Sequence, residues 1–175
     1  MPADPIWGQL ILQVILIAVN AFFAAAEIAV ISLDENKLRV RAENGDKDAV
    51  RMLKLVSSPS GFLSTIQIAI TLAGFLGSAF AADNFAGPMV EALMKTNAFG
   101  NMNQNVLNTV CVILITIILS YFTLVFGELV PKRVAMQKTD AVAKVVSGVI
   151  LGFSTVMKPL VWLLTVSTNG VLRLC

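Results

Sequence analysis

The chain has 175 residues, of which 57% are hydrophobic, 14% charged and none histidine, with thirteen Lys+Arg against eleven Asp+Glu. A soluble domain carries roughly a quarter charged residues, so this composition and a mean hydropathy of +0.80 argue against disorder, fibrous structure and an ordinary soluble enzyme. The even charge balance gives no footing for nucleic acid, and without histidine any site must use carboxylates, hydroxyls, amides and backbone carbonyls.

The first apolar stretch covers residues 6–33 and is long enough to span a bilayer, which takes about 20 residues. Asp4 is the only charge before it, so it lacks the basic start of a signal peptide. Residues 34–54 form a basic loop with Lys37, Arg39, Arg41, Lys47, Arg51 and Lys54, read as two short amphipathic helices joined at Gly45. A second span is predicted over 55–82. The segment after it holds only Lys95 against Asp83 and Glu91, with a break at Gly87-Pro88, a short helix Met89–Met94 and a polar linker over 97–105. The third span is predicted over 105–128, followed by Lys132, Arg133, Lys138 and Lys144. By the positive-inside rule the 34–54 loop and the C-terminus are cytoplasmic and the N-terminus is outside.

Residues 141–174 are apolar but carry Lys144, Lys158 and Arg173, and Pro159 divides them into halves too short to cross. Lys158 at the bilayer centre would cost about 3 kcal/mol. A bent helix lying in the cytoplasmic interface, with Trp162 at headgroup depth, avoids that cost. The expected fold is therefore an all-α membrane protein with three transmembrane helices and a bent amphipathic belt helix at the cytoplasmic interface, in a single domain over 1–175. Cys111 reads as a small packing residue and Cys175 is the last residue, so no disulfide framework is implied.

Polar residues inside spans are the informative ones. On the first span Asn20 and Glu27 share a face beside Ala21, Ala24, Ala25 and Ala26. Either both line an interior polar cavity, or Asn20 bonds a neighbouring backbone and Glu27 pairs with a basic residue. On the second span Ser64, Gln67, Thr71, Gly74 and Ser78 form one stripe, opposite Leu63, Ile66 and Ile70. This suits helix–helix contact, although the large amide of Gln67 needs a partner. On the third span Thr116, Ser120, Thr123 and Gly127 lead into Glu128, and Pro131 is expected to free the Gly127 carbonyl beside the Glu128 carboxylate. Oxygens so arranged suit a hard divalent cation; alternatively Pro131 only ends the span and Glu128 pairs with Lys132.

Three motifs now resemble one family. Asn20 to Ala29 (NAFFAAAEIA), Leu63 to Leu72 (LSTIQIAITL) and Gly127 to Lys132 (GELVPK) are similar in order and spacing to the membrane domain of the CorC/CNNM family, also called hemolysin- or TlyC-like. The resemblance implies three spans with a belt, a homodimer in the lipid bilayer of the bacterial inner membrane, and Mg²⁺ export coupled to inward Na⁺ by alternating access. It implies Glu128 as the acidic Mg²⁺ ligand and Ser64 as a hydroxyl ligand. Gly127, Thr71, Gln67 and Asn20 complete the candidate set, with Pro131, Lys132 and Glu27 as structural or gating residues. Ala24 stands where many members place Ser, and Ile70 and Thr71 where many place Asn. Such members continue into paired cytoplasmic CBS modules that bind ATP; this chain stops at Cys175, so it is expected to be the membrane half of a longer protein.

The competing reading is a membrane anchor or sensor without flux, serving those cytoplasmic modules. An intramembrane enzyme is disfavoured by the absence of histidine, of paired aspartates within spans and of a Ser–Lys pair on one face.

Overall fold

A computed structural model describes residues 5–95 and 103–173. Among them the regular structure is all helix: α1 (Pro5–Ile31), α2 (Glu35–Glu43), α3 (Lys47–Val56), α4 (Pro59–Met94), α5 (Gln104–Leu124), a π turn (Val125–Leu129), α6 (Val130–Gln137) and α7 (Thr139–Leu172). The linker predicted over 97–105 lies, as far as residue 102, outside the described residues, as does Cys175. Among the described residues, four stretches are long and apolar enough to cross a membrane: Trp7–Ile31, Gly61–Met94, Gln104–Gln137 and Thr139–Leu172. Large apolar side chains point away from the protein along all four, including Trp7, Ile11, Phe75, Ile117 and Trp162. That is the inverse of a water-soluble surface.

The contacts fall into two compact units, one formed by residues 1–21 and 71–130, the other by 22–70 and 131–175. In the first, Val90 at the end of α4 packs with Leu107 and Cys111 of α5. This explains why α4 runs unbroken through Gly87-Pro88, where the sequence predicted a break followed by a separate helix. The packed last turn outweighs the single hydrogen bond that Pro88 removes. Gln9 Nε2 donates to Asn84 Oδ1 at 3.0 Å, tying α1 to α4.

In the second unit, Phe23, Ala26 and Val30 of α1 form one core with Phe62, Ile66 and Ala69 of α4 and Val146 and Ile150 of α7. A second core joins Ala29, Leu38, Ala49, Met52, Ala135 and Ala143. The alanines let helices approach closely, as membrane helices require. The short helices α2 and α3 form as expected and meet at Gly45, whose φ of +87° only glycine adopts readily. Asp34 caps α2 and Asp46 caps α3. Asp46 Oδ1 accepts from the Asp48 and Ala49 amides, while its Oδ2 accepts from Arg41 at 2.8 Å. The Arg41 hydrogen bond, then the Ala49 amide, hold the Asp46 carboxyl below the ordinary carboxylate range. Lys144 of α7 reaches Asp48 of α3 at 2.9 Å.

α7 is one helix through Pro159, not two halves. Pro159 and Thr155, the residue whose carbonyl loses its donor, both lie on the exposed side, where the ring meets no neighbouring element.

Candidate cation site

The feature nearest the sequence expectation is the end of α5. Proline at 131 has no N–H for the Gly127 carbonyl. The chain answers with a π turn over Val125–Leu129, in which the Val130 amide bonds the Val125 carbonyl. Such single π turns recur at functional sites. The helix then continues, so the third span does not stop at residue 128, and Pro131 sits in the first turn of α6, where a missing donor is tolerated.

The Gly127 carbonyl is not left free as expected. It accepts from Asn20 Nδ2 at 3.1 Å, and Asn20 is only 3% exposed. The amide of α1 thus replaces the donor that proline removed. Glycine at 127 is what permits the approach: a Cβ there would meet Asn20 Nδ2 at 3.1 Å and the Ile17 carbonyl at 3.5 Å. With Nδ2 committed, Asn20 Oδ1 is buried with no partner among the described residues. The carbonyl of Gly127 keeps a second lone pair. Glu128, the next residue, is half-buried.

The other candidates are distributed as follows. Thr71 belongs to the same unit as Asn20 and Glu128 and is exposed. Glu27, Ser64 and Gln67, all in the other unit, line one cavity of about 590 Å³ with Thr165, Thr168 and Asn169 of α7. The Thr165 and Thr168 hydroxyls donate to carbonyls of their own helix, which leaves their oxygens as acceptors. Glu27 Oε2 pairs with Lys132 Nζ at 3.2 Å. Asn20 thus bonds a neighbouring backbone and Glu27 a basic residue, while Glu27 also lines the cavity with Ser64 and Gln67. Along α4 the face buried within this chain is Phe62, Ile66, Ala69 and Ala73, whereas Gln67 and Thr71 are exposed.

Sequence reasoning passed over two residues of the first span. Gln13 is 6% exposed, and neither its Oε1 nor its Nε2 has a partner among the described residues. Gln9 Oε1 is likewise unpartnered. Gly77 makes room for the Gln13 amide: a Cβ there would meet Nε2 at 3.1 Å. The signal was available, because 9, 13 and 20 are four and seven apart and so share a helix face. No group of three or more acidic or cysteine side chains occurs among the described residues, so an ion here would be held largely by neutral oxygens.

Among the described residues, four long apolar helical stretches with lipid-suited surfaces and some buried polar atoms define an all-helical integral membrane protein. Residues 11–175 match the cyclin M transmembrane N-terminal domain, and the chain belongs to that family. It is 34% identical over 160 residues to a UPF0053 protein of Synechocystis sp., covering 91% of this chain and 35% of that one. It is 29% identical over 161 residues to a protein of Haemophilus influenzae named polyamine export protein, covering 92% and 36%. A UPF0053 inner membrane protein of Escherichia coli is 27% identical over 156 residues, covering 89% and 32%. The chain thus spans about a third of the length of the curated relatives it matches.

Proposed function

We propose that the chain is the membrane domain of a cation transporter whose cargo is a divalent ion, Mg²⁺ first. The observation that carries this reading is the partnerless Asn20 Oδ1 beside the Gly127 carbonyl, one residue before Glu128. A buried amide oxygen without a partner costs roughly 1–3 kcal/mol, and more at membrane depth. A hard cation between neutral oxygens and one carboxylate would offset that cost, and oxygen-only donors favour Mg²⁺ or Mn²⁺ over softer metals. Thr71, in the same unit, is proposed as a further oxygen donor; Ser64 and Gln67 are proposed as oxygen donors of their own cavity, and the Glu27–Lys132 pair beside them as a gating contact, on the strength of the motifs that contain them.

Export of Mg²⁺ against inward Na⁺, a homodimeric assembly and ATP-binding CBS modules beyond this chain belong to the same proposal and rest on the family resemblance. So does the topology, with the basic loop and C-terminus cytoplasmic. Lys158 in the middle of α7, costly at the bilayer centre, favours a belt over a fourth span.

The test is Mg²⁺-dependent thermal stabilisation of this domain in detergent, together with flux by the full-length protein in liposomes. Glu128→Gln should abolish both. Normal stabilisation and flux in Glu128→Gln would remove the site, and absence of any flux in the full-length wild type would favour the anchor reading. A second cargo has its own support: an apolar cavity of about 450 Å³ beside Gln13, walled by Phe85, Phe122 and Phe126, in a chain related to a polyamine export protein. Aromatic faces attract alkylammonium groups. Competition of Mg²⁺ flux by spermidine would place the two cargoes on one route.

A further inference from the structure

A second polar cavity lies outside the candidate cation site. It has a volume of about 380 Å³, and its wall brings Lys54, from the last turn of α3, together with Lys158 of α7. Neither lysine is paired with a carboxylate among the described residues. Two unneutralised ammonium groups on one cavity repel each other, and an anion between them would turn that repulsion into attraction.

Two further features point at the same anion. The start of α4, at Ser58 and Gly61, forms part of the wall. Pro59 has no N–H and the Phe62 amide bonds the Ser58 carbonyl, so the Ser60 and Gly61 amides are the donors left at the start of this 36-residue helix, which has no acidic residue in its first turn. Ser154 also lines the cavity, and its Oγ is buried with no partner among the described residues. Every other described hydroxyl of α7 (Thr139, Ser147, Thr155, Thr165, Ser167 and Thr168) donates to a backbone carbonyl three or four residues back. Ser154 alone keeps its proton unused.

The rest of the wall is apolar, with Leu55, Phe62, Leu151, Val161 and an outward-facing Trp162. A free phosphate ion would gain nothing from those side chains; the glycerol and upper acyl chain of a lipid would bury against them. Tryptophan favours headgroup depth, and basic pockets between membrane helices take anionic headgroups. We infer that this cavity binds the phosphodiester of an anionic glycerophospholipid, with Lys54, Lys158 and the Ser154 hydroxyl on the phosphate and Trp162 against the acyl side.

Trp162 supplies the probe. The chain has two tryptophans, so Trp7→Phe leaves Trp162 alone. That variant is reconstituted in phosphatidylcholine vesicles containing brominated phosphatidylglycerol or brominated phosphatidylcholine at equal mole fraction. Brominated phosphatidylglycerol should quench Trp162 with a preference of roughly fivefold or more. Adding Lys54→Gln and Lys158→Gln should bring the preference close to one, Ser154→Ala should lower it in part, and Lys47→Gln, outside the cavity, should leave it unchanged. Equal quenching by the two lipids with the cavity unmutated overturns the proposal without recourse to a cavity variant. So does relief of quenching by millimolar inorganic phosphate, which would make the ligand a soluble anion.

Discussion

The contact between Asn20 and Gly127 shows how one proline reshapes the hydrogen bonding of the turn before it. Pro131 removes a donor, a π turn absorbs the change of register, and an amide 107 residues earlier supplies the replacement hydrogen bond. Gly127→Ala should therefore push Asn20 away and lower stability by about 1–3 kcal/mol, the usual result of overfilling a packed position. Gly152→Ala is the contrasting case, because a Cβ there meets nothing within 4 Å. It should be neutral or stabilising by about 0.5–1 kcal/mol, since a helical glycine gives up entropy. Thermal unfolding of both variants in detergent checks the pair. Glu128, Pro131 and Gly127 were legible as a cluster in the sequence. Asn20 as their partner was not, because nothing local states which helix approaches which.

At the scale of elements, the joint between α2 and α3 responds to pH. Asp46 is held below its ordinary range by Arg41 and by the first amides of α3. Its contribution is therefore fully present above the unfolded carboxylate value, near pH 4. It is lost as pH falls through the lowered folded value. Amide exchange in α2 and α3 should accelerate below about pH 4, and Asp46→Asn should flatten that response; an unchanged profile in the variant would remove Asp46 as the cause. Gly45→Val should destabilise the same joint by about 1–2 kcal/mol, because it forces a branched residue into the left-handed region. This joint was readable in advance from Asn44-Gly45 and from alternating charge. Helix continuity was less so: Pro88 and Pro159 both read as breaks, yet α4 and α7 continue through them. Proline's effect depends on what the neighbouring turns pack against, as Val90 does on Leu107 and Cys111.

At the scale of the molecule, the proposed topology makes a labelling prediction. With Cys111 replaced by alanine, Cys175 is the one remaining cysteine. A membrane-impermeant maleimide should modify it only from the cytoplasmic side; modification only from outside would make α7 a fourth span. The apolar stretches, the basic loop over 34–54 and the membrane character of the chain were fixed by composition and charge order, because burying charge in hydrocarbon is too costly to permit any other arrangement. The three motifs likewise carried the family on their own. Tertiary structure alone decided that Gln13 and Asn20 keep polar atoms buried with no partner among the described residues, that Ile66 and not Gln67 faces the core within this chain, and that Lys54, Ser154 and Lys158 share one cavity. Those outcomes depend on how helices distant in sequence rotate and cross, and periodicity within one helix marks a face without saying what covers it.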